Sequence, residues 1–366
     1  MGQSPDSTSY NSDKQGVPFY QGNADFGALY PKPRIWCNKP IKLAKENDIL
    51  ISVRAPVGAL NFSKEECCIG RGLASITLDS NDFLLEFIYW SLRTGVKELQ
   101  NKSTGSTFKS INKKTLEEVR IPKVPLKEQK DIIRNLTLLT NILAKYKHEI
   151  VFLDELVKAR FVEMFGDPVT NDMLWNTDVL KDICTKIGSG STPRGGKESY
   201  IDEGISLIRS MNVHNAYFEY KDLAHITLDQ AEKLNNVVVE HDDLLFNITG
   251  ASVARCCVVP SDVLPARVNQ HVCILRCREK INPIFLQELL VNENYQGKLL
   301  QIAKSGATRE AINKQQLESL EIMLPPLELQ NQFASFVEEI DKSRLRELLA
   351  IKQIKLLLND SWLLFY

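Results

Sequence analysis

No run of about 18 uncharged apolar residues occurs in this 366-residue chain, so no segment has the pattern of a membrane-spanning helix. The opening MGQSPDSTSYNSDK has no apolar core of the kind a secretory signal needs, and the cytoplasm is the expected location. The eight cysteines, at 37, 67, 68, 184, 256, 257, 273 and 277, form no C-x-x-C pair. The nearest cluster, Cys256 and Cys257 with Cys273 and Cys277, lies in strand-like surroundings, so buried reduced thiols are expected instead of a metal. Neither sign of charge dominates: 45 Lys and Arg face 46 Asp and Glu, a net −1. A broadly cationic nucleic-acid binder is excluded, and any phosphate contact must come from local patches or be shared with a partner.

Catalytic signatures are missing too. Gly190 to Lys197 (GSTPRGGK) has Ser191 and Glu198 where a Walker loop ending at Gly196-Lys197 needs Gly and Ser or Thr, and Gly188-Ser189-Gly190 does not continue into a dinucleotide fingerprint. There is no Asn/Asp-Pro-Pro-aromatic methyltransferase tetrapeptide and no nuclease-type carboxylate cluster. His148, His214, His225, His241 and His271 are scattered, with no nucleophile set beside them by sequence. The chain is therefore expected to be non-catalytic, with no cofactor and no metal of its own.

What the chain does have is a long helical stretch, Leu126 to Phe165. Steps of four and three pick out Ile132, Leu136, Leu139, Leu143, Tyr146, Ile150, Leu153 and Val157, the spacing of a coiled-coil seam. Forty helical residues make a rod of about 60 Å. Pro122 and Pro125 mark its start and Gly166-Asp167-Pro168 its end. One apolar stripe on so long a helix requires a partner, and Leu327 to Tyr366 supplies it. It follows Pro325-Pro326 as Leu126 follows Pro125, 201 residues earlier, and the same offset gives Phe333, Val337, Ile340, Ile351, Ile354 and Leu358. Arg344 and Glu347 interrupt this second seam; Leu345, Leu348 and Leu349 lie beside them, so a local shift of the stripe is expected there, with the two polar residues either fixing register within the pair or facing a partner subunit.

The rods belong to a longer repeat. Ser103-Thr-Gly-Ser-Thr107, Ile111-Asn112-Lys113, Leu116, Ile121, Pro125 and Gln129 recur as Ser305-Gly-Ala-Thr308, Ile312-Asn313-Lys314, Leu317, Ile322, Pro326 and Gln330. Asp48 to Val53 matches Asp243 to Ile248 at an offset of 195, and Gly2-Gln-Ser-Pro5 matches Gly190-Ser-Thr-Pro193 at 188. The apolar runs at 48–53, 73–78, 243–248 and 271–276 read as buried strands, and 82–99 and 283–303 as helices. The fold class is α+β: two similar α/β domains separated by two long antiparallel coiled-coil helices. The expected boundaries are 1–124, 125–165, 166–325 and 326–366. Residues 167–189 have no counterpart in the first half, so that domain is expected to lack its N-terminal part, through a late start codon, a recombined gene or trimming.

Small, polar and basic residues recur at the candidate contacts. Lys102, Ser103, Thr104, Ser106, Thr107 and Lys109, and Lys304, Ser305, Thr308 and Arg309, lie in loops that each open a helix, so the loops' backbone N–H groups and hydroxyls are expected to hold a phosphate. The charge is +3 over 97–120 and +3 over 298–314. Base-reading candidates are Gln3, Ser7, Tyr10, Lys14, Arg54 and Arg71 in the first half. In the second they are Thr192, Arg194, Lys197, Arg209, Asn212, Asn247, Arg255, Asn269 and Gln270. Arg pairs bidentately with guanine, and Asn or Gln with adenine.

In this order, twice over, these motifs resemble the specificity (S) subunit of type I restriction-modification enzymes. Arg160-Phe-Val-Glu-Met-Phe-Gly166-Asp-Pro and the Pro-Leu segments before Gln129 and Gln330 add to the likeness. The resemblance implies two target recognition domains on a bipartite double-stranded DNA site, with the helices acting as a ruler. It implies docking of two methyltransferase subunits and of restriction motor-nuclease subunits; S-adenosylmethionine, ATP and Mg are then bound by those partners. A coiled-coil scaffold or defective fragment without selective binding is the alternative.

Overall fold

The computed structural model describes residues 1–101, 103, 110–193, 195–304 and 310–360. They divide into two units, Met1–His148 with Glu347–Tyr366, and Glu149–Arg346.

In the second unit the Leu244–Asn247 strand lies between Val272–Cys277 and Cys256–Val258, and Cys184–Ser189 completes a four-stranded antiparallel sheet. Its side chains alternate. Leu244 and Phe246 enter a core with Phe161, Phe165, Phe285 and Phe333, whereas Leu245 packs on the opposite face with Leu207, Ile208 and Val268. Burial on both faces is why this stretch reads as an unbroken apolar run. The second sheet has the order Ala224–Ile226, Ile205–Ile208, Ala266–Val268, Val238–Val239, and its central pair is parallel.

The first unit repeats the plan. Ile49–Ser52 lies between Leu60–Phe62 and Leu73–Ile76. Leu50 packs with Tyr20, Cys67 and Ile69, while Ile49 turns toward Trp90 and Leu136. Val17–Tyr20 and Cys67–Ile69 again form a parallel pair.

Each stretch read as one helix before a polar loop is two: Leu85–Thr94 then Val96–Asn101, and Pro283–Val291 then Glu293–Lys304. The breaks fall at Gly95 and Asn292, where Asn292 has ψ 137° and leaves the helical region. Periodicity alone cannot register a one-residue break that leaves the apolar face in phase.

The long helices are unbroken over Leu126–Phe165, 40 residues, and Leu327–Asp360, 34 residues. Leu136, Val157, Phe333, Val337, Ile340, Ile351 and Ile354 are buried, and Ile132, Leu139, Leu143, Tyr146, Ile150, Leu153 and Leu358 are half-buried. Within the second unit the helices run antiparallel. Phe161 meets Phe333 edge-on at 5.6 Å between ring centroids, and further along Arg344 Nη2 donates to Asp154 Oδ1 at 2.5 Å. In the first unit Leu358 packs with Leu136 and Ile132.

The expected shift of the stripe does not occur. Leu345, Leu348 and Leu349 are exposed, and Arg344 and Glu347 keep the seam positions. A continuous helix cannot change phase without a break. The polar positions are accommodated instead: Arg344 bridges Asp154 on the facing helix and Asp341 on its own.

Candidate nucleic-acid interface

Matching backbone hydrogen bonds place the two units in one frame. Gly70 N donates to Tyr20 O (2.8 Å) as Asn269 N donates to Ile208 O (3.0 Å). Val53 N donates to Gly72 O (2.9 Å) as Ile248 N does to His271 O (3.0 Å), and Ile111 N donates to Val53 O (3.0 Å) as Ile312 N does to Ile248 O (2.9 Å). The residues just beyond these bonds are therefore counterparts: Gln21 with Arg209, Arg54 with Thr249, Arg71 with Gln270. Glycine opens the frame in both units because nothing larger fits. A Cβ on Gly2 would come within 2.3 Å of the Gly70 carbonyl oxygen, and one on Gly190 within 1.8 Å of that of Val268. Two residues on, Ser4 and Thr192 form a fourth pair.

In the first unit Ser4, Gln21, Arg54 and Arg71 line one open cleft together with Arg34 and Asp25. Arg71 N donates to Ser4 Oγ at 3.3 Å, and Arg34 is paired with the buried Asp25. Arg54 and Arg71 have no ion pair among the described residues, so the cleft presents two uncompensated guanidinium groups. In the second unit Thr192 donates to Gln270 Oε1, Gln270 Nε2 and His271 Nε2 lie 3.2 Å apart, and Thr249 Oγ1 and His271 Nδ1 lie 2.6 Å apart. The same frame thus carries arginines in one unit and a hydroxyl, amide and imidazole chain in the other.

Both sites are met by a described residue that follows a repeated polar sequence. Ser110 bridges to Arg54, and Ala311 to Thr249. Lys102, Thr104, Ser106, Thr107, Lys109, Arg194, Ser305, Thr308 and Arg309 lie outside the described residues. Ser103 Oγ donates to Gln100 O, and Lys304 is exposed at the end of its helix. The backbone N–H groups and hydroxyls of these loops therefore lie largely outside the described residues, and only the short helices after them are on view. Both are five residues long, and Asn112 and Asn313 already accept from Thr115 N and Gln316 N at 2.9 Å each.

Other candidates fall into two groups. Gln3, Ser7, Lys14 and Lys197 are exposed, and Lys14 stands over the Trp36 ring at 5.9 Å. Arg255 and His214 approach at 3.4 Å, and His214 stacks on the exposed Tyr217 at 4.6 Å. By contrast, Asn212 and Asn247 are fully buried. Asn212 Nδ2 donates to the carbonyls of Glu219 and Lys221, and Asn247 Nδ2 to those of Ser210 and Val213. Asn269 is buried and accepts from His271 N at 3.0 Å. These three hold loops together and cannot present an amide to a base edge. Tyr10 donates to Pro5 O at 2.8 Å, and Arg209 donates to Asp222 O and covers the Tyr200 ring at 5.4 Å, so both are committed within the fold. Ser4, Gln21, Arg34, Thr249 and His271 were not among the sequence candidates; the offset of 188 within its matched run pairs Ser4 with Thr192, and the offset of 195 carried one step past its run pairs Thr249 with Arg54.

The family model for the type I restriction modification DNA specificity domain matches residues 5–151 and 173–356. A protein named as the MjaX type I restriction enzyme specificity subunit of Methanocaldococcus jannaschii is 45% identical over 143 residues, 39% of this chain; the match spans only 34% of that protein's length. The EcoBI specificity subunit of Escherichia coli is 22% identical over 380 residues, covering 91% of this chain and 75% of that one. Among solved structures, the type I restriction-modification S subunit from M. genitalium superposes with a TM-score of 0.59 over 99% of this chain and 91% of that chain, at 15% identity, which shows the fold. With the family model covering both repeats, the chain belongs to the family of type I restriction-modification DNA specificity subunits.

Proposed function

We propose that this chain is the non-catalytic recognition subunit of a cytoplasmic type I restriction-modification complex, reading a bipartite double-stranded DNA target with one half-site per unit. The observation that carries this reading is the three-position correspondence: Ser4, Arg54 and Arg71 stand where Thr192, Thr249 and Gln270 stand, in frames tied by the same backbone bonds. Equal scaffolds with unequal hydrogen-bonding groups are what two different half-sites require. Arg54 and Arg71 favour guanine edges or phosphates, and Gln270 favours adenine. Domain limits of 1–124, 125–165, 166–325 and 326–366 fit this division of labour.

Two methyltransferase subunits, and restriction subunits with them, are the partners in this reading, and they bring S-adenosylmethionine, ATP and Mg. Exposed Leu138, Val151 and Phe152 on the first long helix and Leu345, Leu348, Leu349, Leu356 and Leu357 on the second support docking of a protein there, because apolar side chains in such number on paired helices mark an interaction surface.

Single-molecule methylation mapping with and without the gene tests the reading. A bipartite motif that vanishes with the gene is expected, and Arg71→Ala should weaken selection at one half-site only. A methylome with no gene-dependent bipartite motif would leave the scaffold alternative standing.

A further inference from the structure

The connections that follow Tyr20 and Ile208 are of equal length, residues 21–35 and 209–223, and join equivalent antiparallel strands in the two units, yet they fold differently. In the first unit the connection lies along the cleft, where Asn23, Asp25 and Arg34 line it beside Arg54 and Arg71. In the second it turns back on itself as a hairpin, Val213–His214 against Tyr217–Phe218, closed by Asn215 and by Ala216 at φ 60°. One side chain accounts for the difference. Asn247 Nδ2 donates to the carbonyls of Ser210 (2.9 Å) and Val213 (3.3 Å), and Ala216 N donates to Cys256 O (2.9 Å), so the hairpin is pinned to the sheet at Asn247 and Cys256. At the offset of 195 the first unit has Ser52, whose shorter side chain donates to Pro56 O (2.6 Å) and accepts from Ala59 N (2.9 Å) within its own turn.

Three side chains meet on the hairpin. His214 and Tyr217 are cross-strand partners whose rings stack at 4.6 Å with 13° between their planes. Tyr217 is 54% exposed, so one ring face lies on the imidazole and the other is open. Met211 O, 3.2 Å from His214 Nε2, can only accept, which puts the proton on Nε2 and leaves Nδ1 to accept from Arg255 Nη1 at 3.4 Å. That contact engages Nη1 and leaves the Nε–Nη2 edge of Arg255 for another acceptor. The first unit has the half-buried Leu60 at this place. Arg54 and Arg71 give the first frame its guanidinium groups; Thr249 and Gln270 give the second none, and Arg255 supplies one from beside it.

We infer that this hairpin is a second DNA contact of the second unit: Arg255 pairs bidentately with a guanine edge at the border of that half-site, His214 positions the guanidinium, and the open face of Tyr217 packs on the neighbouring sugar and base. The inference rests on the DNA reading proposed above. A guanidinium held from one side by an imidazole is fixed in rotation, as pairing with guanine O6 and N7 demands, whereas a phosphate takes a cation in many orientations. An exposed aromatic ring beside a cation offers nucleic acid a stacking face whatever the base.

The test measures methylation by the complete complex on DNA targets randomised over the second half-site and its flanks. Arg255→Leu, which imports the residue of the first unit, is expected to abolish the preference for guanine at one position and to leave the first half-site unchanged. His214→Ala should relax the same position, and His214→Gln, able to donate to Met211 O and accept from Arg255, should restore it. Tyr217→Leu should slow methylation about tenfold or more, while Tyr217→Phe keeps the parent rate. An unchanged second half-site in Arg255→Leu overturns the inference and leaves the DNA reading intact; equal loss at both half-sites also overturns it and marks the hairpin as a protein dock. A parent complex with no bipartite preference removes the DNA reading and this inference together. Photocrosslinking of the unaltered chain to targets carrying iododeoxyuridine at each position in turn does not depend on any variant folding: a crosslink within residues 213–218 is expected, and none at any position counts against the contact.

Discussion

Gln129 and Gln330, 201 residues apart, make the same three hydrogen bonds in different units. Gln129 Oε1 accepts from Leu84 N (2.8 Å), while its Nε2 donates to the carbonyls of Asp82 (2.7 Å) and Val124 (2.9 Å). Gln330 Oε1 accepts from Asn282 N (2.9 Å), and its Nε2 donates to the carbonyls of Lys280 (3.4 Å) and Pro325 (2.8 Å). Both side chains are 0% exposed. Each ties the loop ahead of a domain helix to the first turn of a long one, which fixes where the helix leaves its unit.

Gln330→Leu strips partners from three backbone groups in a closed site. A loss of about 2–4 kcal/mol is expected, measured by urea unfolding, and Gln129→Leu should cost a similar amount. A change below about 0.5 kcal/mol would mean that water replaces the amide, contrary to its burial.

Glu288, on Pro283–Val291, is 9% exposed and accepts from Gln287 Nε2 at 2.8 Å. Burial pushes its carboxyl up to about 7. Because the folded value lies above the unfolded one, its contribution to stability is fully present below about pH 4.5 and is lost as pH rises through about 7. At about 1.4 kcal/mol per pH unit, Glu288→Gln should match the parent at pH 4 and exceed it by a few kcal/mol at pH 8. Unfolding free energies at the two pH values that differ by the same amount would contradict this.

Arg344 holds a seam position, but its partners Asp154 and Asp341 are half-exposed. Arg344→Leu should therefore shift stability by less than about 1 kcal/mol. A loss above about 3 kcal/mol would instead assign Arg344 the main role in setting the helix register.

Each long helix enters both units without a break. On the proposed function, removing one heptad from both should change the spacer of the methylated site and leave both half-sites intact. Methylation mapping that returns the original spacer would rule out the ruler role.

The repeat and the rods were legible because they rest on patterns a linear reading sees: prolines at one offset, a seam in steps of four and three, and apolar runs buried on both faces. The seam residues from Ile132 to Val157 were found because a continuous helix preserves phase. The site was only half legible. Asn212 and Asn247 look in sequence like Arg54 and Arg71, polar residues beside strands, and only three-dimensional packing shows that the amides face inward while the arginines line an open cleft. Ser4 and Thr249 escaped notice because each is one ordinary hydroxyl, significant only through its counterpart. The shift of the stripe expected around Arg344 fails for a related reason: its acceptor, Asp154, lies 190 residues away.

The leucines that stay outside the seam carry a cost in solution. Leu345, Leu348 and Leu349, with Leu356 and Leu357 two turns on, are exposed along one helix. A surface of this kind self-associates when nothing covers it, so on the proposed function chain made in excess of the subunits that dock there should be lost to aggregation, and its soluble amount should track their supply.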